Sequence, residues 1–279
     1  TITNVLVGGV AATLQGSGPG WVTIVLPATG AAGVKDIVIQ TADQGDITLP
    51  AAYTVSPAGE IWDNGLKRGG PYLSAGFGYH SLGLKADGSI EAWGANTVGQ
   101  TTVPFPNANF AAVSAGWNCS FGLKSDGTIS AWGDNNMGQA LVPFPNAGFV
   151  AVSGGGFHTL GLKSDGSVVA WGYNGRGQTA VPPPNADFVA VSAGLEHSLG
   201  LRSDGSVVAW GSDVYHQTEV PVPNTGFVAV SAGGFHSLGL KADGSVVAWG
   251  YNDFRQTEVP APNAGFVAVS GGGFHTLGL

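Results

Sequence analysis

Five of the six histidines in this sequence fall on one lattice. His80, His158, His197, His236 and His275 share it with Cys119, and each occupied position follows the last by 39 residues. Six imidazole or thiol groups in register invite a metal-binding reading. One donor per 39 residues spreads them over separate structural units, however, too far apart for two to share an ion at ordinary ligand distances. The lattice is therefore read as structural, each histidine starting a strand and hydrogen-bonding near the Trp-Gly that ends the next. His216 stands off the lattice, in a variable segment. Other chemistry is equally sparse. Asp87, Asp126, Asp165, Asp204 and Asp243 each precede a glycine, where a carboxylate caps its own turn. Asp134, Asp213 and Asp253 have no evident paired carboxylate for glycoside hydrolysis. The Gly-Gly-Gly runs at 154–156 and 271–273 lack the Lys-Ser/Thr and helix that phosphate binding needs. No nucleophile-base constellation emerges, so neither catalysis, a cofactor nor a metal is expected.

The elements that carry these residues repeat at the same step. Trp93, Trp132, Trp171, Trp210 and Trp249 form a second lattice, and Gln100, Gln139, Gln178, Gln217 and Gln256 a third. In the unit spanning 188–226, FVAVS, HSLGL and SVVAW are short β-branched or alternating runs, which read as strands. Ser-Asp-Gly between the second and third suits a hairpin turn closed by a glycine of positive φ. A short TEV strand before Pro-x-Pro-Asn completes a predicted four-stranded meander, stopped by prolines that suit only an edge. A period near 40 residues with four strands is the size of one propeller blade. The tryptophans are expected to pack between blades.

The pattern VSAGxxHSLGLKxDGSVVAWGxNxxGQ resembles the RCC1-like repeat, over about residues 58–279. That resemblance implies an all-β propeller, a non-catalytic scaffold and a partner protein bound at loops. Members of the family act as a guanine-nucleotide exchange factor and as a secreted β-lactamase inhibitor, so an inhibitor-like regulator is one alternative reading. Residues 1–56 lack the repeat and read as four or five short strands. Their segments VGGVAAT, the strand pair around AAGVKDIVIQT and the closing AAYTV resemble the later part of an IPT/TIG domain, an immunoglobulin-like sandwich. The domain boundary is placed accordingly, 1–56 and 57–279. The family's opening strands are missing before Thr1, so the true chain is expected to start earlier, or else a neighbouring subunit supplies them.

An open propeller exposes an edge, and pairing the two chain ends within one blade removes it. Residues 59–62 are expected to pair with 275–279, giving six blades. The alternative is a truncated array. The net charge of -8 argues against nucleic acid or an anionic membrane surface as partner. No run approaches the length of a membrane span, and a single cysteine allows no intrachain disulfide.

Up-and-down strands put the first-to-second and third-to-fourth loops on one face and the Asp-Gly turns on the other. Comparison among the repeats shows the Asp-Gly face to be nearly uniform and the opposite face to vary. The variable positions are Trp117, Asn118, Met137, Tyr173, Arg176, Leu195, Glu196, Tyr215, His216, Tyr251, Phe254 and Arg255. Exposed aromatics, Met and Arg on a rigid scaffold have the composition of a recognition surface. The expected function is a non-enzymatic, exported bacterial-type protein at the cell surface or outside it. It would bind another protein or a surface glycan through this face. A structural subunit that self-assembles through the incomplete sandwich is the second reading.

Overall fold

The computed structural model describes residues 73–75 and 78–279, together with the backbones of six strands between residues 2 and 55. These six are β1 (Ile2–Val7), β2 (Val10–Ala11), β3 (Thr13–Gly18), β4 (Trp21–Val25), β5 (Gly33–Thr41) and β6 (Gly45–Val55). They form a four-stranded sheet of order β2-β1-β5-β6 and a separate β3-β4 hairpin, all antiparallel. Residues 59–62, expected to close the ring, and the 56/57 domain boundary lie outside the described residues.

The repeats fold as a row of antiparallel sheets. Five have three strands: β7–β9 (Leu73–Ala75, His80–Leu84, Ile90–Gly94), β10–β12 (Phe110–Ala115, Cys119–Lys124, Ile129–Gly133), β13–β15 (Phe149–Gly154, His158–Lys163, Val168–Gly172), β16–β18 (Phe188–Ala193, His197–Arg202, Val207–Gly211) and β19–β21 (Phe227–Ala232, His236–Lys241, Val246–Gly250). A sixth holds β22 (Val269–Gly271) and β23 (Thr276–Gly278). Among the described residues there is no helix.

The middle strands β11, β14, β17 and β20 are buried along nearly their whole length, because neighbouring blades cover both faces. The core accordingly lies between sheets. Leu160, Leu162 and Val168 of one blade pack against Phe188, Val191, Ala193 and Trp210 of the next. The same set recurs at the following interface, where Leu199, Leu201 and Val207 meet Phe227, Val230, Ala232 and Trp249. The tryptophans thus pack between blades as expected. In β11, β14, β17 and β20 a glycine lies against the ring of the first strand's phenylalanine. A Cβ on Gly200 would collide with the ring of Phe188, so the glycine makes the pocket in which that ring is buried.

The Asp-Gly turns form as predicted. In the turn at 163–167 the Lys163 amide donates to the Ser167 carbonyl, Gly166 has φ 80° and the Asp165 carboxylate accepts from both the Ser167 amide and hydroxyl. Those two bonds hold the Asp165 carboxyl below the usual carboxylate range. Lys163 does not reach for that carboxylate. Its ammonium lies 3.6 Å from the centroid of the Phe149 ring and donates to the Pro145 and Ala147 carbonyls.

The fourth strand does not form. After each lattice glutamine the chain turns on itself, as where the Glu219 amide donates to His216 and the Val220 amide to Thr218. The place of a fourth strand is taken at one point by an asparagine side chain. Asn185 Oδ1 accepts from the Val168 amide at 2.7 Å and its Nδ2 donates to the Val168 carbonyl at 2.8 Å. Asn107, Asn146, Asn224 and Asn263 do the same for Ile90, Ile129, Val207 and Val246. A primary amide carries the same donor and acceptor as a peptide unit, so it substitutes for a strand where the flanking prolines have removed the backbone donors.

This clamp satisfies two backbone groups with one side chain. Asn185→Ala is expected to lower the unfolding free energy by about 1–3 kcal/mol, read as a lower urea midpoint with an unchanged slope. A loss below about 0.5 kcal/mol would show that water replaces the clamp without cost.

Candidate interaction face

The lattice histidines do not bond within their own blade. His158 Nε2 lies 2.8 Å from Ser198 Oγ, His197 Nε2 3.0 Å from Ser237 Oγ, His80 Nε2 2.9 Å from Ser120 Oγ and His236 Nε2 3.0 Å from Thr276 Oγ1, in each case in the following blade. The expected bond to the Trp-Gly end of the next strand is therefore replaced by one across the blade interface. The receiving hydroxyl donates in turn to the glutamine carbonyl of the histidine's own blade, as Ser198 does to Gln178 at 2.9 Å. The same carbonyl also accepts the indole N–H of the next blade, Trp210 to Gln178 at 2.9 Å. A hydroxyl that spends its proton on a carbonyl must accept from the imidazole, which fixes a neutral ring protonated at Nε2. Desolvation enforces that neutrality. Burial pushes His158 down to about 3, and burial with the neighbouring His158 and His236 does the same for His197.

Cys119 interrupts this belt, and burial pushes its thiol up to about 12, so it offers no thiolate ligand. Trp93 also departs from the lattice. Its equivalents are 6–7% exposed, whereas Trp93 is 48% exposed.

The belt fixes the spacing of the loops above it. Backbone bonds link successive first-to-second loops directly, including Trp117 to Gly155, Gly156 to Gly194 and Leu195 to Gly234. Upon this frame, aromatic side chains from both loop sets meet on one face. Trp117 and Phe157 have ring centroids 5.2 Å apart, and Phe157 lies 6.3 Å from Tyr173. A second group is larger. Tyr215 contacts Phe235 at 5.5 Å and Tyr251 at 4.7 Å, Tyr251 contacts Phe254 at 6.0 Å, and Phe254 reaches Phe274 at 5.5 Å. These are the offset and edge-on separations at which aromatic pairs contribute about 0.5–1.5 kcal/mol beyond burial, so the rings hold one another in place. Tyr215, Phe254 and Phe274 remain exposed. Desolvation, and then Asp253, raise the Tyr251 phenol.

Between the two groups lie Leu195, packed over Gly156, and Glu196, 3.8 Å from Arg176. The structure thus brings together Trp117, Tyr173, Arg176, Leu195, Glu196, Tyr215, Tyr251 and Phe254 of the expected positions. Others stay apart. Asn118 is half-buried, and its carbonyl accepts the Asp134 amide. Met137 is exposed. His216 and Arg255 turn to acids of their own loops, Glu219 at 3.0 Å and Glu258 at 3.9 Å. The Glu219 carboxylate raises the His216 imidazole. Sequence comparison missed Phe157, Phe235 and Phe274. They share one slot with Asn118 and Glu196, but the same residue in three units reads as pattern rather than as surface.

The family model described as the Regulator of chromosome condensation (RCC1) repeat matches residues 110–139, 149–178, 188–217 and 227–256. These are RCC1 repeats. The sheets β7–β9 and β22–β23 fall outside the matched segments but continue the same strand pairing. No curated protein matches the sequence. Solved structures do. The ectodomain of the Physcomitrella patens receptor kinase CR4 aligns with 90% of this chain and 69% of its own at 24% identity and TM-score 0.63. Prp20p from Saccharomyces cerevisiae aligns over 80% and 70% at 19% identity and TM-score 0.63. The ectodomain of the Arabidopsis thaliana receptor kinase ACR4 aligns over 88% of each chain at 23% identity and TM-score 0.62. At these identities the likeness is one of fold, an RCC1-like propeller architecture.

The neutral belt makes the RCC1 repeats acid-sensitive. His158, His197 and, at about 4, His236 have folded values below the unfolded 6.5, so the unfolded chain takes up protons first. Their contribution is complete above pH 6.5 and is lost as pH falls toward 3–4, at about 1.4 kcal/mol per pH unit per histidine. Urea unfolding between pH 7.5 and 4.5 is expected to show this decline, and His197→Gln to reduce its slope. Stability that stays flat across that range would mean the rings are already charged or solvated.

Proposed function

We propose that this chain is a non-enzymatic protein-recognition module that binds its partner through the loop face bearing Tyr215, Phe235, Tyr251, Phe254 and Phe274. The observation that carries this reading is the aromatic group itself. Five rings from four different loops converge on one face of a scaffold whose blades are otherwise repeated, and three of them stay exposed. Pre-oriented aromatic side chains give contact area at small entropic cost, which is why such clusters dominate binding energy in interfaces. The protein Prp20p, of the same fold, has binding properties to Gsp1p and histones, and the two plant domains are receptor ectodomains. A protein partner agrees with all three. The net charge of -8 makes a polyanion a poor partner.

We place the module outside the cell or on its surface, ahead of it an immunoglobulin-like segment of the IPT/TIG kind at 1–56. A six-bladed ring closed by residues 59–62 completes the reading. A surface glycan stacked on the same rings is the competing ligand.

The test compares the full chain with a Tyr215→Ala, Tyr251→Ala, Phe254→Ala variant and with Phe105→Ala, Phe144→Ala, two exposed positions outside the aromatic group. Cross-linked partners identified with the native chain are expected to weaken at least about tenfold with the triple variant and to be unaffected by the double variant. The opposite pattern, or binding to a glycan array with no protein captured, would overturn the reading.

A further inference from the structure

The loop after Trp210 brings together three side chains that no other described loop combines. A donor atom from each of Asp213, His216 and Glu219 lies within 4.8 Å of the other two. His216 Nδ1 and Glu219 Oε1 are 3.0 Å apart. Asp213 is held from behind. Its Oδ1 accepts the Thr218 amide at 2.9 Å and the Thr218 hydroxyl at 2.6 Å, which fixes the carboxylate.

The repeat supplies its own comparison. Where this unit has Asp213, the others have Asn96, Asn135, Asn174 and Asn252, and each accepts the corresponding backbone amide through Oδ1. Local structure thus needs only an amide oxygen, and the carboxylate charge of Asp213 is surplus to it. Where this unit has His216, three others have Gly99, Gly138 and Gly177 at φ 78–83°. His216 takes φ 62° there, a conformation that costs a residue with a Cβ more than it costs glycine. In the adjacent unit the position holds Arg255, whose cation answers Glu258 at 3.9 Å. At 213–219 the two carboxylates instead flank an imidazole that a metal ion can share.

We propose that Asp213, His216 and Glu219 form a binding site for a divalent transition ion of the zinc class. The donor set selects the metal. An imidazole with two carboxylates suits Zn2+, Co2+, Ni2+ or Cu2+, whereas Ca2+ and Mg2+ favour oxygen donors alone. Ligand bonds of about 2.0–2.2 Å put tetrahedral donors about 3.4 Å apart, within the spread already present. All three side chains are exposed, so rotamer changes suffice to close the set. The Thr218 contacts to Asp213 act as the outer support that orients a ligating carboxylate. Three protein donors leave at least one coordination position for water or for a donor from outside. Tyr215 lies between Asp213 and His216 in sequence and belongs to the aromatic group, so the ion stands at the margin of that face. The site is independent of what binds there.

Among the described residues competing imidazole and thiol donors are few, His275 being half-buried. His80, His158, His197 and His236 are buried in the belt, and Cys119 is buried. The test titrates the full chain at neutral pH with Zn2+ by calorimetry and with Co2+ by visible absorption. One ion per chain is expected, saturating below about 1 mM. His216→Gly, which installs the residue of three sister loops, is expected to abolish binding. Asp213→Asn, the residue of four sister loops, is expected to weaken it at least about tenfold. Both variants should melt as the native chain does, since each copies a loop that already folds. Absence of binding up to that concentration overturns the site, as does binding that His216→Gly leaves unchanged.

Discussion

The carbonyl oxygens of Gln100, Gln178 and Gln217 are the points on which neighbouring blades are most fully joined. Each accepts a hydroxyl and an indole N–H from the next blade, and the hydroxyl is shared with the histidine of its own. A carbonyl with two lone pairs can serve both donors, and in a dry interface each bond is worth more than on the surface. The glutamine side chain fixes that carbonyl by accepting an amide two residues earlier, as Gln178 does from Arg176 at 2.9 Å. Three side-chain types at one 39-residue step therefore lock sheets that would otherwise meet only through apolar packing, which is non-directional.

Locking the interface there releases the residues above it. The loop between Trp-Gly and Gln is anchored at both ends, by the register of the third strand and by the glutamine, and its middle touches no core. Arg176, Tyr215 and Phe254 can replace Met137 or Val98 at one position without disturbing a blade. The aromatic group and the Asp213, His216 and Glu219 set both occupy this permitted zone. Their proximity follows from the scaffold, which gives each blade one free loop on the same face as its neighbour's.

The Asp-Gly face shows the opposite economy. Asparagine clamps, carboxylate-capped turns and lysines lying over phenylalanine rings repeat there with little change. Each satisfies backbone groups or covers an aromatic edge at the rim of the core, so substitution has a structural cost at every position. Uniformity on one face and diversity on the other thus have the same origin, the distribution of backbone groups still in need of partners.

The sequence by itself determined the repeat, its three principal strands, the Asp-Gly turns and the inter-blade role of tryptophan. Those features are local or periodic, and a 39-residue step repeats them often enough to be unmistakable. It misread the TEV segment as a strand, because apolar and β-branched content cannot reveal that Asn224 Oδ1 and Nδ2 have taken the Val207 peptide groups. The partner of each histidine was equally hidden, since Ser198 is 40 residues from His158 and only blade stacking joins them. Variability marked most of the loop face, but which rings touch, and that His216 faces Asp213 and Glu219, was decided by tertiary structure alone. Side-chain convergence depends on how blades stack and how loops turn, and neither is written in any one repeat.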